Sequence, residues 1–316
     1  MAKPDTGDLR DIPVEKIDRN KENPRVVFRQ EELDELTESI RNYGVLVPVS
    51  VYKKQGRYVL IDGERRWLCS LKLNRHTIPA LVQEPPSPLE NLLLMFNIHA
   101  LREQWDLFTI ALKLPKVIDL LRAELQREPN EIELSAKTGL SRSAIRRSRL
   151  LVELPEKYKM RLLEELHKPP SQQKLSEDFF IEMERALKTV QRAQPSIIQD
   201  LNKARDVLIE KYTSDKIKNL VSLRLIPKIA RAENVGADES SAQKALKKLF
   251  QKNSYSAEEA FDDTVSEAYS EKAVLTRIDA LLEKLDQFDP DDLDDELREK
   301  LRTLIDKASR LLEGNE

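Results

Sequence analysis

At 316 residues, with 40% hydrophobic and 34% charged residues and only 7 glycines, the sequence is long enough for two or three domains and reads as a soluble, mostly helical protein rather than a β-sandwich. Its net charge of −3 hides a segregation: residues 137–149 hold five basic side chains and no acid, whereas residues 271–316 hold 14 acids against 8 bases, a pattern that points to one localised polyanion-binding surface. A single cysteine, Cys69, three dispersed histidines (His76, His99, His167) and the absence of any long apolar stretch argue against a disulfide framework, a cysteine or histidine metal site, a signal peptide and a membrane span, so a cytoplasmic protein without membrane contact is expected.

Residues 1–11 are polar and are expected to form a disordered lead. Ile12, Pro13, Val14 and Ile17 give a short strand or turn, followed by a polar segment, 18–25, that ends in a proline-fixed bend. Residues 31–43 form an amphipathic helix, with Leu33, Leu36 and Ile40 at helical spacing and Gly44 as its stop. A strand over 46–52, a hairpin turn at Gly56, a returning strand over 58–61, a helix over 64–73 and a third strand over 78–82 complete a small α/β domain, 12–84.

Within it, Gly63 permits a tight turn between strand and helix, and Glu64, Arg65 and Arg66 open that helix. Free backbone N–H groups and the helix dipole favour an anion there, and two guanidinium forks would strengthen the hold on a polyphosphate. The alternative is a plain strand-to-helix turn whose arginines pair with Glu64, Asp62 or other surface carboxylates.

The ordered set Asn23, Pro24, Arg25; Ser39, Ile40; Gly44, Val45, Leu46, Val47, Pro48, Val49; Gly63, Glu64, Arg65, Arg66; and Ile78, Pro79, Ala80 resembles the nucleotide-binding domain of the ParB partition proteins, a fold shared with sulfiredoxin. The resemblance extends over about residues 10–165. It implies that the backbone of Gly44, Val45, Leu46, Val47 and Pro48 lies against the base and sugar of a nucleotide, and that Gly63, Glu64, Arg65 and Arg66 form the phosphate motif, the two arginines holding the phosphates. CTP with Mg²⁺ is the ligand so implied, another nucleoside triphosphate being the alternative.

A proline-rich linker, 84–88, leads to a helix over 89–101 that carries Asn91, Met95, Phe96, Asn97, Ile98 and His99. In the family a glutamate followed by asparagine helps to hold the metal-bound triphosphate and to hydrolyse it. Here Phe96 takes the glutamate's place, while Asn97 is kept and is assigned by resemblance to the nucleotide and metal site. The family's next glutamine–arginine pair is also missing, Arg102 and Glu103 coming later, before Trp105 and Asp106. Phenylalanine can neither orient water nor take a proton, so hydrolysis is put in doubt more than binding and no catalytic residue is assigned. His99 as a substitute base is weighed against the commoner role of a packing or surface histidine.

Residues 108–125 continue in helices, with Pro115 expected to force a start or kink. A helix-turn-helix follows: 131–138, the turn Gly139, Leu140, Ser141, and 142–151, with Ser141 as N-cap and Leu134, Ala136, Leu140, Ile145 and Leu150 or Leu151 as its small core. Its polar side offers Lys137, Ser141, Arg142, Ser143, Arg146, Arg147 and Arg149 to double-stranded DNA; the bland alternative is a helical hairpin with a solvated basic face. This gives a second domain, 89–170.

Residues 176–270 form a helical region without a motif, in which Lys244, Lys247, Lys248 and Lys252 line one helix, more in the manner of a solvated face than of a phosphate contact. The last segment, 271–316, is a helical hairpin broken near Pro290, with Leu275, Ile278, Leu282, Leu285 and then Leu297, Leu301, Leu304, Ala308, Leu311 on one seam. Such a seam packs on its own chain or pairs with a second copy, and the family resemblance implies a homodimer.

The expected architecture is therefore α+β: a small α/β domain of ParB and sulfiredoxin type, an all-α helix-turn-helix domain and a helical C-terminal region. The expected function is that of a nucleotide-dependent DNA clamp or partition factor associated with nucleoid or plasmid, with a partition ATPase as a further partner. A nucleotide-free transcriptional regulator and an enzyme of the wider superfamily, phosphotransferase or nuclease, are the alternatives.

Overall fold

The structure, a computed structural model, describes residues 7–23, 30–100, 106–289 and 293–313, with only the backbone of His99, Ala100 and Pro170. Of the positions singled out above, residues 1–6, Pro24, Arg25, Leu101, Arg102, Glu103, Trp105, Pro290 and the side chain of His99 lie outside the described residues. The chain divides into two compact units, Met1–Ala186 and Leu187–Glu316.

Unit 1 opens with an α+β domain. Its strands are β1 (Asp8–Pro13), β2 (Ile17–Asp18), β3 (Val49–Lys54), β4 (Arg57–Asp62) and β5 (Thr77–Gln83), interleaved with helices α1 (Gln30–Tyr43) and α2 (Glu64–Lys72). They form one mixed sheet in the order β1-β5-β3-β4-β2. The β3–β4 hairpin is antiparallel, as the Gly56 turn demands, whereas β5, reached from β4 through the crossover that carries α2, runs parallel to β3. Val49, Val51, Leu60, Ile78 and Ala80 alternate inward and close on Ile12, Val14 and Ile17, with Trp67 of α2 packed against them. The Trp67 indole N–H donates to the Val14 carbonyl at 3.2 Å, which ties α2 to the start of the chain.

Two boundaries differ from the sequence reading. Residues 8–11, expected within a disordered lead over 1–11, belong to β1, which begins at Asp8 and pairs antiparallel with β5, Ile12 opposite Ile78. Its polar residues mark an edge strand with one buried side chain rather than disorder. Strand β3 begins at Val49 and not at residue 46, since Leu46 and Val47 stand out at 75% and 55% exposure and Pro48 has no N–H to give a ladder.

Helices α3 (Pro88–Ala100), α4 (Leu107–Leu125), α5 (Glu131–Thr138), α6 (Arg142–Val152) and α7 (Glu156–Leu166) follow, and the unit boundary falls within α8 (Glu177–Ala193). Pro115 neither starts nor splits α4, which is one helix held by the buried Phe108, Ile110, Ala111, Leu114, Val117 and Leu121. Asp106 caps it by accepting from Thr109 N–H at 2.7 Å.

Unit 2 holds α9 (Leu201–Thr213), α10 (Leu220–Leu223), α11 (Leu225–Ala230), α12 (Glu239–Gln251), α13 (Ala257–Asp262), α14 (Ser266–Leu285) and α15 (Asp295–Glu313). The chain breaks between α10 and α11, where the ring of Pro227 would crowd the carbonyl four residues back, that of Leu223. Lys211, fully buried, donates its ammonium to the carbonyls of Lys252 (2.8 Å) and Tyr255, satisfying backbone acceptors beyond the end of α12. Burial pulls its pKa down to about 8. Helices α14 and α15 bury no side chain; Leu275, Ile278, Leu282, Leu304 and Leu311 are all at least 45% exposed. Among the described residues no helix is long and apolar enough to cross a membrane.

Candidate functional site

The strand-to-helix turn is built around Gly63, whose left-handed φ of +95° serves as the N-cap position of α2 without a side-chain cap. A β-carbon there would come within 2.7 Å of Val49 Cγ1 and 3.0 Å of Arg66 Nη2, so only glycine lets β3 approach so closely. Arg66 then reaches across to the loop after α1: one nitrogen donates to the carbonyls of Val47 (2.7 Å) and Pro48 (3.0 Å) and the other to Asp62 Oδ2 (3.0 Å). The two segments that carry the nucleotide expectation, Gly44 to Pro48 and Gly63 to Arg66, are thus joined by one guanidinium. Gly44 itself has φ +72° and closes α1, its N–H bonded to the Ile40 carbonyl at 2.9 Å.

Arg65 lies against α1, donating to the Glu32 carbonyl (3.1 Å) and pairing with its carboxylate (3.4 Å). Arg65 is 31% exposed and Arg66 16%, so both guanidinium groups are held by oxygens of their own chain, with Arg65 the more accessible. Glu64 turns inward, 6% exposed, and is engaged by Arg19 and by the Asn23 amide. It anchors the segment after β2 to the start of α2. An incoming phosphate can join Arg65 by displacing the half-exposed Glu32, and the uncapped first turn of α2 supplies N–H donors, so this chemistry fits an anion in exchange for internal partners.

Asn97 contacts the turn of the helix-turn-helix. Its amide nitrogen donates to the carbonyls of Leu93 (2.8 Å) and Lys137 (2.9 Å), and a β-carbon on Gly139 would stand 2.9 Å from its Oδ1. It therefore ties α3 to the turn of the helix-turn-helix. Phe96 beside it is fully buried. Among the described residues no group of three or more His, Cys, Asp or Glu side chains could hold a metal.

The helix-turn-helix folds for local reasons. Asn130 and Glu133 form a capping box at the start of α5, and Arg127 together with the Asn130 N–H holds the Glu133 carboxyl down at about 2. Gly139 closes α5 at φ +73°, and Ser141 Oγ accepts from Ala144 N–H to open α6. Leu134, Leu140, Ile145 and Leu151 form the core, while Ala136 is exposed. Lys137, Ser141, Arg142, Ser143 and Arg146 are exposed; Arg147 and Arg149 are half-buried.

The sequence reading missed the acids that face these arginines. Glu131 Oε2 lies 3.7 Å from Nε of both Arg142 and Arg146, and Asp178 is paired with Arg147. Arg149 lines a recess of about 500 Å³ together with Asp119, Glu128 and Glu131. Glu131 was visible as an acid in the first turn of α5, but Asp178, 31 residues beyond Arg147, leaves no signal in the linear pattern.

Residues 2–95 match the family model described as the ParB N-terminal domain. The chain is 33% identical over 162 residues to the "Probable chromosome-partitioning protein ParB" of Pseudomonas putida, covering 51% of this chain and 53% of that protein. It is 31% identical over 159 residues to the nucleoid occlusion protein of Geobacillus kaustophilus, 50% of this chain and 54% of the relative. The chain thus spans about half the length of these curated relatives. Among solved structures, a C-terminally truncated ParB from Caulobacter crescentus complexed with CTP-gamma-S is 29% identical, with 50% of this chain and 86% of that one covered and a TM-score of 0.30. The same truncated protein complexed to the centromeric parS site gives 20% identity, 65% and 97% coverage and a TM-score of 0.39.

Proposed function

From the premise that this chain carries a ParB N-terminal domain over residues 2–95, we propose that it is a ParB-like partition or regulatory factor that binds double-stranded DNA through α6 and is switched by a nucleoside triphosphate, CTP first among them, at the α2 turn. The observation that carries the DNA reading is a capped, glycine-turned helix pair whose second helix presents Arg142, Arg146 and Ser143 to solvent with its apolar side buried. Such a helix in a major groove places guanidinium groups against phosphates and guanine edges. Homodimerisation through the open seam of α14 and α15, a partition ATPase partner and a place on nucleoid or plasmid belong to the same proposal.

For the nucleotide, support comes from the ordered motifs and from Arg66, which brings the Gly44 loop and the Gly63 turn to one place. The bound triphosphate would supply negative charge; the chain supplies the N–H groups of α2, Arg65 released from Glu32, and a loop whose exposed Leu46 and Val47 give apolar surface to a base. For this to act as a switch, nucleotide must bind one conformation better than the other. No hydrolytic step is assigned, because Phe96 is buried and offers no acid.

A second reading, a nucleotide-free regulator with a scaffolding N-terminal domain, is favoured by the ion pairs Arg65–Glu32 and Arg66–Asp62. Calorimetry with CTP, ATP and GTP separates the two. Arg65→Ala with Arg66→Ala is expected to weaken binding at least tenfold; heat-silent titrations of the unmodified chain, or equal affinity in the double variant, would leave the scaffold reading. For DNA, Arg146→Ala with Arg147→Ala is expected to lower duplex affinity, with a shallower salt dependence if phosphates are contacted and selective loss at one sequence if bases are read. Unchanged binding would remove the helix-turn-helix assignment.

A further inference from the structure

The turn before α12 repeats the turn before α6. Gly236 has φ +72° where Gly139 has +73°, and each is followed two residues later by the residue that caps the next helix, Asp238 or Ser141. Four and seven positions beyond the caps, Ala242 and Ala245 in α12 are buried as Ile145 and Ser148 are in α6. The inward stripe of the two helices is therefore in the same register relative to the turn, and so is the face left to solvent.

That face of α12 is basic. Residues 240–257 contain Lys244, Lys247, Lys248 and Lys252 and no Asp or Glu. Ser240, Ser241, Lys244, Lys247, Lys248 and Gln251 are exposed at helical spacing, opposite the buried Leu246, Leu249 and Phe250. Lys248 is fixed over the Tyr255 ring, 3.5 Å from its centroid. Lys244, Lys247 and Lys252 enter none of the ion pairs formed among the described residues, in contrast to the arginines of α6, which face Glu131 and Asp178. The acid at the head of the helix, Glu239, is turned to the Gln194 and Gln243 amides, and Asp238 is taken up in the cap. Beside α12 a recess of about 410 Å³ brings Lys203 to the same side as Lys247.

We infer that α12 is a second duplex-DNA contact, one that grips phosphates without reading sequence. An exposed ammonium stripe with no acid between residues 240 and 257, on a chain of net charge −3, has charge complementarity with a polyanion. Lysine suits a phosphate contact, because its ammonium is a mobile point charge without the planar fork of arginine. The binding should accordingly be salt-sensitive and indifferent to sequence, about one released counterion per lysine engaged.

The test uses the full chain and two mixed-sequence duplexes of equal length, with affinity followed by fluorescence anisotropy over a range of KCl. Lys244→Gln, Lys247→Gln and Lys252→Gln together should lower the log–log salt slope by about 2–3 and weaken both duplexes alike, and the corresponding triple arginine variant should keep the slope. All three side chains are exposed, and Lys248, which packs on Tyr255, is left in place; an unchanged thermal transition by circular dichroism confirms that the fold is intact. An unchanged slope, or a loss confined to one duplex, overturns the inference. Arg146→Ala with Arg147→Ala, run in parallel, keeps this result apart from the α6 reading: if only the arginine variant loses affinity, α12 is no DNA contact, and if only the lysine variant does, α12 stands without α6.

Discussion

Each exposed guanidinium of α6 faces an acid of its own chain. Glu131 sits equidistant from Arg142 and Arg146, at the helix start where a carboxylate is favoured by the α5 dipole, so on the proposed DNA reading a phosphate would compete with a resident anion for both arginines. Such competition lowers affinity for every sequence alike and leaves discrimination to the contacts the acid cannot imitate. Glu131→Gln keeps the side-chain shape and removes the charge; it is expected to tighten non-specific duplex binding about three- to tenfold at low salt, from the loss of roughly 1 kcal/mol of internal pairing, with the gain shrinking as salt rises. Anisotropy titrations at two salt concentrations check this, and weaker binding by the variant would show that Glu131 positions the arginines instead of occupying them.

Elements meet through a few polar joints, and the one at the head of α4 is electrically strained. Glu177, from α8, accepts from the Phe108 N–H beside the capping Asp106, and burial together with that neighbouring carboxylate pushes its pKa up to about 7. The folded state therefore holds a proton more readily than the unfolded chain between the ordinary carboxylate range and about pH 7. Stability from this joint is greatest at low pH within that window and falls as pH rises through it. Glu177→Gln preserves an acceptor oxygen without the charge and should raise urea resistance by roughly 1–2 kcal/mol at pH 8 while changing little at pH 5; equal effects at both values would mean that the side chain acts by packing alone.

Joints of this kind separate what sequence discloses from what it conceals. Period and punctuation located α1, the β3–β4 hairpin, α2, β5, α5 and α6, because alternation, Gly56, Gly139 and Ser141 act within a few residues. Edge strand β1, with one buried residue in six, carries too little apolar signal to be found without β5 beside it. At the candidate site the motif residues could be named, but not their engagements: Arg66 with two carbonyls and Asp62, Glu64 turned inward, and Asn97 bound to Lys137 all depend on contacts between distant segments.

At the scale of the whole molecule, the most conspicuous surface is the last one. Among the described residues the apolar seam on α14 and α15 has no fully buried side chain, Leu285, Leu297 and Leu301 being half-buried and the rest exposed, and amphipathic helices of this length are marginal in water unless that stripe is buried. Leu275→Lys with Leu282→Lys is expected to leave the melting of the α+β domain unchanged and to convert a dimer into a monomer by sedimentation velocity; a monomer before substitution would show that the seam is not a self-association surface. Joined at that end, two chains would deliver two reading helices to one duplex, and the second attachment would be drawn from a local concentration fixed by the tether instead of from bulk solution. Occupancy of a palindromic site would then climb with the square of dilute protein, so the tail, which touches no base, would decide how sharply the chain tells a true site from a lone half.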